Sequence, residues 1–413
     1  MKNRLDVFAT DFKKYFLFLL YAYAFFIPFK MILANIVSGL LLIAVLAFAT
    51  YSPKSLFRLA KKEFIIGSSL FILQLIYLLF SDNLSEGIFL TEIKLTIFIF
   101  PLVFSICGHI LTKEEHFKIL DAFLFGILLS LCYCFGHAFY LQLTIGLLPV
   151  NWALFSDTLL DPSGISHVYF GIYCAFGISL LVYKQLQFGK LSKLNLLELS
   201  VMILFMVFVV PKMALLALFV SLIYMIVSNR EQLSKTALTY ILIMFLLFFA
   251  CVFLLPKSYQ RIRQFTFGYA RENMVNDINN YSANRTAPLY CSLDLLKDNW
   301  ISGFGVGELQ SQMNIWYKEH GLDQLVNYNT HNQYLDYILT FGILGLLLLL
   351  FNLGYSFYLS FKYNLRIYSV LTFILSLSFL TETVLGSNKG VIFFAFMNSL
   401  FMSYLNQKEE NVT

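Results

Sequence analysis

At 413 residues, 59% hydrophobic and only 13% charged, with 45 Phe and a mean hydropathy of +0.73, the chain excludes a water-soluble globular protein. Its net charge of +5 comes from Lys and Arg scattered over short segments, without the single basic patch of a nucleic-acid binder. Apolar runs long enough to cross about 30 Å of hydrocarbon recur from end to end, and in lipid such runs must be helices or a closed barrel. They do not alternate with polar residues, so the expected fold is an all-α polytopic membrane bundle.

Lys2, Arg4, Lys13 and Lys14 precede the first apolar run, 15–29. No small-residue cleavage site follows, so this run is read as an uncleaved first span. About twelve spans are predicted, at 15–29, 31–50, 64–80, 88–107, 119–146, 166–183, 195–210, 213–228, 236–255, 333–359, 367–384 and 391–406. The connections then alternate in charge. One set, with both termini, holds 18 of the 29 Lys and Arg residues, while the short loops of the other set hold Lys30, Lys212 and Lys389. The positive-inside rule puts both termini in the cytoplasm and the long loop 256–332 outside. The domains expected are an N-terminal bundle (1–255), this extracytoplasmic loop (256–332) and C-terminal spans (333–413) of the same membrane domain. Five of the six cysteines lie in or beside apolar runs, where a thiol behaves as a small hydrophobe. Cys291 is alone in the long loop, so no disulfide is implied there.

Spans seven and eight are joined only by Pro211-Lys212, which holds Lys212 near headgroup depth. A helix-end lysine there can simply snorkel. The long loop carries seven basic and seven acidic residues. Arg261 and Arg263, just beyond span nine, read as headgroup anchors that lie near the same face. Asn284-Arg285-Thr286-Ala287-Pro288 reads as a helix start with proline in its first turn, and Leu289, Leu293 and Leu296 as its apolar stripe. Gly303-Phe304-Gly305-Val306-Gly307 is a tight loop that follows no strand and lacks a phosphate-loop lysine, so nucleotide binding is disfavoured. His167, in Ser166-His167-Val168-Tyr169, opens span six on the outer side, and Glu382 lies on the outer turn between the last two spans.

The central stretch is Thr330 to Leu350, THNQYLDYILTFGILGLLLLL. At about 100° and 1.5 Å per residue, a straight helix puts His331 on one face with Leu335, Ile338, Gly342 and Gly345, with the glycines roughly 16 Å or more below the histidine. There Gly342 and Gly345 are expected to receive a neighbouring helix closely. Asn332 is either a helix cap or a residue that orients His331.

His331-Asn332, nine residues, then Gly342-Ile343-Leu344-Gly345, directly after a long outer loop, resembles the signature of the O-antigen ligase family. This family includes related polysaccharide polymerases and O-linked oligosaccharyltransferases. The stretch from Arg285 to Gly307 is similar to the family's arginine, short helix and glycine-rich turn. At the hairpin, Pro211-Lys212 stands where the family usually carries an arginine after a serine. Lysine keeps the charge but loses the bidentate fork. The likeness covers about Pro211 to Leu405, and the first half matches only as generic spans.

The resemblance implies a fold similar to lipid-linked-sugar glycosyltransferases and transfer of a glycan from polyprenyl (undecaprenyl) diphosphate to a sugar hydroxyl at the periplasmic face of the bacterial inner membrane. The chemistry needs a group near neutral pKa to take the acceptor's proton, and cations to hold the leaving diphosphate. The implied roles are His331 as catalytic base, Arg285 and Lys212 on the diphosphate, and Asn332, Arg263, His167 and Glu382 in support. Attack opposite the leaving group inverts the anomeric centre. No Asp/Glu cluster calls for a metal, and no cofactor is expected. The leading acceptor is a lipid A-core sugar, within lipopolysaccharide biosynthesis. A polymerase or a protein O-oligosaccharyltransferase differs only in acceptor, and the sequence leaves these open. A transporter or flippase would show an internal repeat and midplane charges on broken helices, neither of which is evident.

Overall fold

The computed structural model describes residues 2–51, 61–145, 157–189, 191–228 and 283–410, and every regular element among them is helical. The predicted span 236–255, Arg261 and Arg263 lie outside the described residues. In chain order the helices are α1 (Lys2–Phe26), α2 (Met31–Tyr51), α3 (Lys61–Leu78), α4 (Leu84–Ile93), α5 (Thr96–Cys107), α6 (Lys113–Ile145) and α7 (His167–Phe188). They continue with α8 (Lys193–Val209), α9 (Lys212–Ser228), α10 (Ala283–Asn299), α11 (Leu309–Glu319), α12 (Gln333–Lys362), α13 (Arg366–Ser378) and α14 (Asn388–Glu410).

Helix α2 shows why these sequences belong in lipid. Its inward residues Ala34, Val37, Leu41 and Val45 are buried, yet its outward residues Ile36, Leu40 and Ile43 are apolar too. A helix apolar all round has no water-facing side. By length and composition α2, α6, α7 and α12 can each cross a membrane, and the pair α4 and α5, bent by 40°, makes a fifth if counted as one. Helices α9 and α13 are shorter and apolar. The count of about twelve remains an expectation; among the described residues the predicted span 88–107 is divided between α4 and α5, and the helix in 367–384 ends at Ser378.

One core runs through the bundle from α1 to α14. Aromatic rings interlock at its centre, with Tyr23 4.8 Å and Phe100 5.2 Å from Phe396 between ring centroids. Gly126 of α6 lies against the backbone of Phe25, where a Cβ would come within 2.3 Å of a carbonyl oxygen. A small residue there lets α1 and α6 approach closely.

A second, smaller core belongs to the long-loop segment. Ala287 and Cys291 of α10, and Met313 and Tyr317 of α11, close over Leu325 and Leu339. Helix α10 is already formed at Ala283, so Pro288 sits inside it and not in its first turn. Its core side is the Ala287–Cys291 side, while the predicted stripe residues Leu289 and Leu293 are exposed.

The straight post predicted at Asn332 onward is not kept. Helix α12 is interrupted at Gly342, whose φ of 66° and ψ of −165° are outside helical values. Glycine enters that region without the Cβ penalty other residues meet. The carbonyls freed by the break are taken up from outside the helix. Phe304 N–H donates to Leu339 (2.7 Å), Gly305 N–H to Thr340 (2.9 Å), and the Tyr77 hydroxyl to Phe341 (2.8 Å). Gly342 and Gly345 therefore do not receive a neighbouring helix as predicted. A Cβ on Gly342 would meet Ile301 O at 1.9 Å, and one on Gly345 would meet Phe341 and Tyr337 of its own helix. The glycine-rich turn is a backbone plug in the broken helix.

Candidate functional site

The site gathers at the N-terminal end of α12. Asn332 is the N-cap: its side-chain oxygen accepts from Tyr334 N–H (2.9 Å) and Leu335 N–H (3.0 Å). This satisfies two of the amides that a helix start leaves without partners. Its Nδ2 also donates to the Leu380 carbonyl at 3.0 Å, so Asn332 caps one element and tethers another. His331 precedes the cap with φ of 47°, and its N–H donates to Asn329 Oδ1 at 3.0 Å. Histidine tolerates this left-handed region better than most residues. The turn swings the imidazole off the straight face that periodicity assigns to it.

Opposite lies the turn between α13 and α14, held through five of its peptide groups. Gln333 N–H donates to the Phe379 carbonyl (2.8 Å), Asn332 to Leu380 (3.0 Å) and Arg285 Nη1 to Thr381 (2.6 Å). The Tyr169 hydroxyl donates to Thr383 (3.5 Å), and Leu385 N–H donates to Gln333 Oε1. The residue so presented is Glu382, only 10% exposed at its side chain. Its Oε1 stands 3.7 Å from His331 Nδ1 and its Oε2 3.8 Å from Arg285 Nη2. His331 Nδ1 is shielded from solvent and makes no hydrogen bond. One carboxylate thus straddles an imidazole and a guanidinium from two other elements, at distances beyond direct hydrogen bonds. Arg285 keeps 38% and His331 23% side-chain exposure, so both reach solvent.

The structure brings His331, Asn332, Arg285 and Glu382 together. Lys212 opens α9 after Val210, which has φ of 48°, and Pro211. The proline packs on Gly171 of α7, where a Cβ would come within 2.7 Å of its side chain. Gly171 is two residues from Tyr169, which places the hairpin at the same end of the bundle as Glu382. His167 is the first residue of α7, two before Tyr169. Arg263 lies outside the described residues. Among the described residues no group of three or more His, Cys, Asp or Glu side chains converges as a metal site would.

Sequence reasoning missed Gln333, which is fully buried, and the charged groups behind it. Gln333 Nε2 donates to Asp336 Oδ2 at 3.3 Å. Asp336 faces Lys94 electrostatically across the α4–α5 break. Lys94 is buried, donates to Gln74 Oε1 at 2.8 Å, and sits 5.5 and 5.3 Å over the Tyr337 and Phe341 rings. A buried charge needs such a partner. Lys94, inside the predicted span 88–107, was the available signal, since an ionisable residue inside a span marks a functional hypothesis.

Residues 197–350 match the model of the O-antigen ligase family. The match takes in Lys212, Arg285 and His331, and Glu382 lies beyond it. No curated protein matches the chain.

Proposed function

Starting from an O-antigen ligase domain over residues 197–350, we propose that this multi-pass membrane protein transfers a glycan from polyprenyl diphosphate to a lipid A-core sugar hydroxyl on the outer side of the inner membrane. The observation that carries the reading is Glu382 standing between His331 and Arg285, 3.7 and 3.8 Å away. With Nδ1 turned toward the carboxylate, Nε2 is the imidazole nitrogen that takes the acceptor hydroxyl's proton. A carboxylate behind the ring stabilises the imidazolium that results, the logic of an acid–base pair in which the anion orients and does not itself react.

The acceptor oxygen forms its bond to the anomeric carbon as the bond from that carbon to the phosphate oxygen breaks. The electron pair leaves with polyprenyl diphosphate, and the configuration inverts. Arg285 uses part of its guanidinium on Thr381 and Glu382, and its exposed donors meet the growing negative charge on the diphosphate. Lys212 adds a second positive charge from the hairpin at the same end. This scheme routes no step through a metal or a cofactor.

The test is the surface glycan of a deletion strain complemented with wild type or His331→Ala. Loss of all polymer from lipid A-core, with long polymer kept on the carrier lipid, is the expected result for both the deletion and the variant. A single repeat unit left on the core identifies a polymerase instead. A wild-type profile from His331→Ala overturns the assignment of the base.

A further inference from the structure

Helix α10 is apolar on two sides. One side, with Ala287 and Cys291, fills the small core against α11 and α12. The other presents Leu289 and Leu293, 41% and 44% exposed, one helical turn apart. Trp300 and Ile301, 47% and 64% exposed, follow just past the helix end. Four scattered apolar residues would need no explanation, and Lys297 lies between Leu293 and Trp300 on this side, but the place of Trp300 and Ile301 is fixed. Ile343 N–H donates to the Ile301 carbonyl at 3.3 Å, so Ile301 sits beside the broken turn of α12. Immediately below, Leu344 and Leu347 of α12 are 57% and 55% exposed. They begin the outward face of a helix apolar and long enough to span a membrane.

We infer that the outer face of α10 is a membrane-docking surface. The helix descends from the site toward the bilayer, with its Leu289–Leu293–Trp300–Ile301 stripe immersed in the outer leaflet and continuous with the lipid-facing side of α12. Its two ends fix the slope. Near the N-terminal end Arg285 is bonded to the Thr381 carbonyl at the level of His331. The C-terminal end reaches Gly342, nine residues or roughly 14 Å along α12 from its first turn. Trp300 therefore lies deeper than Leu289. The consequence is that α10 holds Arg285 at headgroup depth, the level at which a lipid-borne diphosphate arrives. The docking surface itself does not depend on which acceptor is used.

The experiment measures the Trp300-dependent fluorescence, as the difference between wild type and Trp300→Phe, in nanodiscs of plain or acyl-brominated phospholipid. Loss of that emission in brominated discs, with little quenching by aqueous acrylamide, is expected. In a Trp300→Phe background, Leu289→Trp should be quenched by bromines near the headgroup more than by deep ones, and should be shallower than Trp300. Quenching by acrylamide without quenching by bromine places the stripe in water and overturns the inference. Quenching by neither shows that protein covers it, and overturns the inference equally. Both substitutions are at exposed positions, and a thermal melt of each variant checks that the fold is retained.

Discussion

Two charged clusters stand at opposite ends of α7, and their geometry differs in kind. At the far end Lys184 pairs directly with Asp121 of α6, and Glu198 of α8 accepts from Asn195 Nδ2 at 2.9 Å while facing Lys184 electrostatically. Each charge there is met by a direct contact or closes a helix cap, and the result ties three helices. At the site end Glu382 touches neither His331 nor Arg285 within hydrogen-bond distance, and His331 Nδ1 makes no hydrogen bond. The hydrogen bonds that hold the Glu382 turn go to its backbone groups between Phe379 and Leu385. The lesson is that the far cluster uses its charges as fasteners, whereas the site uses backbone bonds as fasteners and keeps its charges available. A carboxylate already saturated by two short ion pairs would have little capacity left to respond when an imidazole gains a proton.

The sharpest break of this comparison is Glu382→Gln, which keeps shape and removes charge. Transfer should fall by about 10- to 100-fold, less than for His331→Ala, because general acid–base catalysis as a whole contributes about 10²–10⁴. Release of polyprenyl diphosphate from a detergent-solubilised preparation measures it, and full activity would make Glu382 another fastener. Next comes Gly342→Ala, expected to destabilise by about 1–3 kcal/mol, because a non-glycine residue must hold a sparsely populated backbone region and its Cβ meets Ile301 O. A lowered melting temperature checks this. An unchanged melt would mean that α12 straightens at no cost. At the far cluster, Asp121→Asn should cost at most about 1 kcal/mol, since the aspartate is 48% exposed, and should leave transfer unchanged. A large loss of activity there would erase the distinction between the two ends. The smallest effect is expected at Cys291, whose buried thiol is pushed up to about 12 by desolvation. It should stay unmodified by maleimide in the native protein at neutral pH and react on denaturation, as mass spectrometry would read.

Part of the site is legible from local signals. Asn332 before an apolar run reads as a cap or as a residue that orients His331, while the roles of His331, Arg285 and Lys212 rest on the family resemblance. The helices were legible for a related reason: a chain 59% hydrophobic in lipid must satisfy its backbone within each segment. Glu382 was readable as a candidate, but its role depends on a turn assembled from α7, α10, α12 and α13. Gln333 carried no signal, since a glutamine one residue after a cap looks like any helix-start polar residue until its three partners are known.

The sequence by itself thus determined the class of fold and which ionisable groups flank apolar segments, since these follow from local hydropathy and local backbone preference. Only the tertiary structure decided that α12 breaks at Gly342, that the glycine-rich turn Gly303–Gly307 fills the break, and that one carboxylate stands between His331 and Arg285. Each of these depends on groups far apart in sequence meeting at distances of a few ångström, and a period of 3.6 residues holds no information about what lies across the gap.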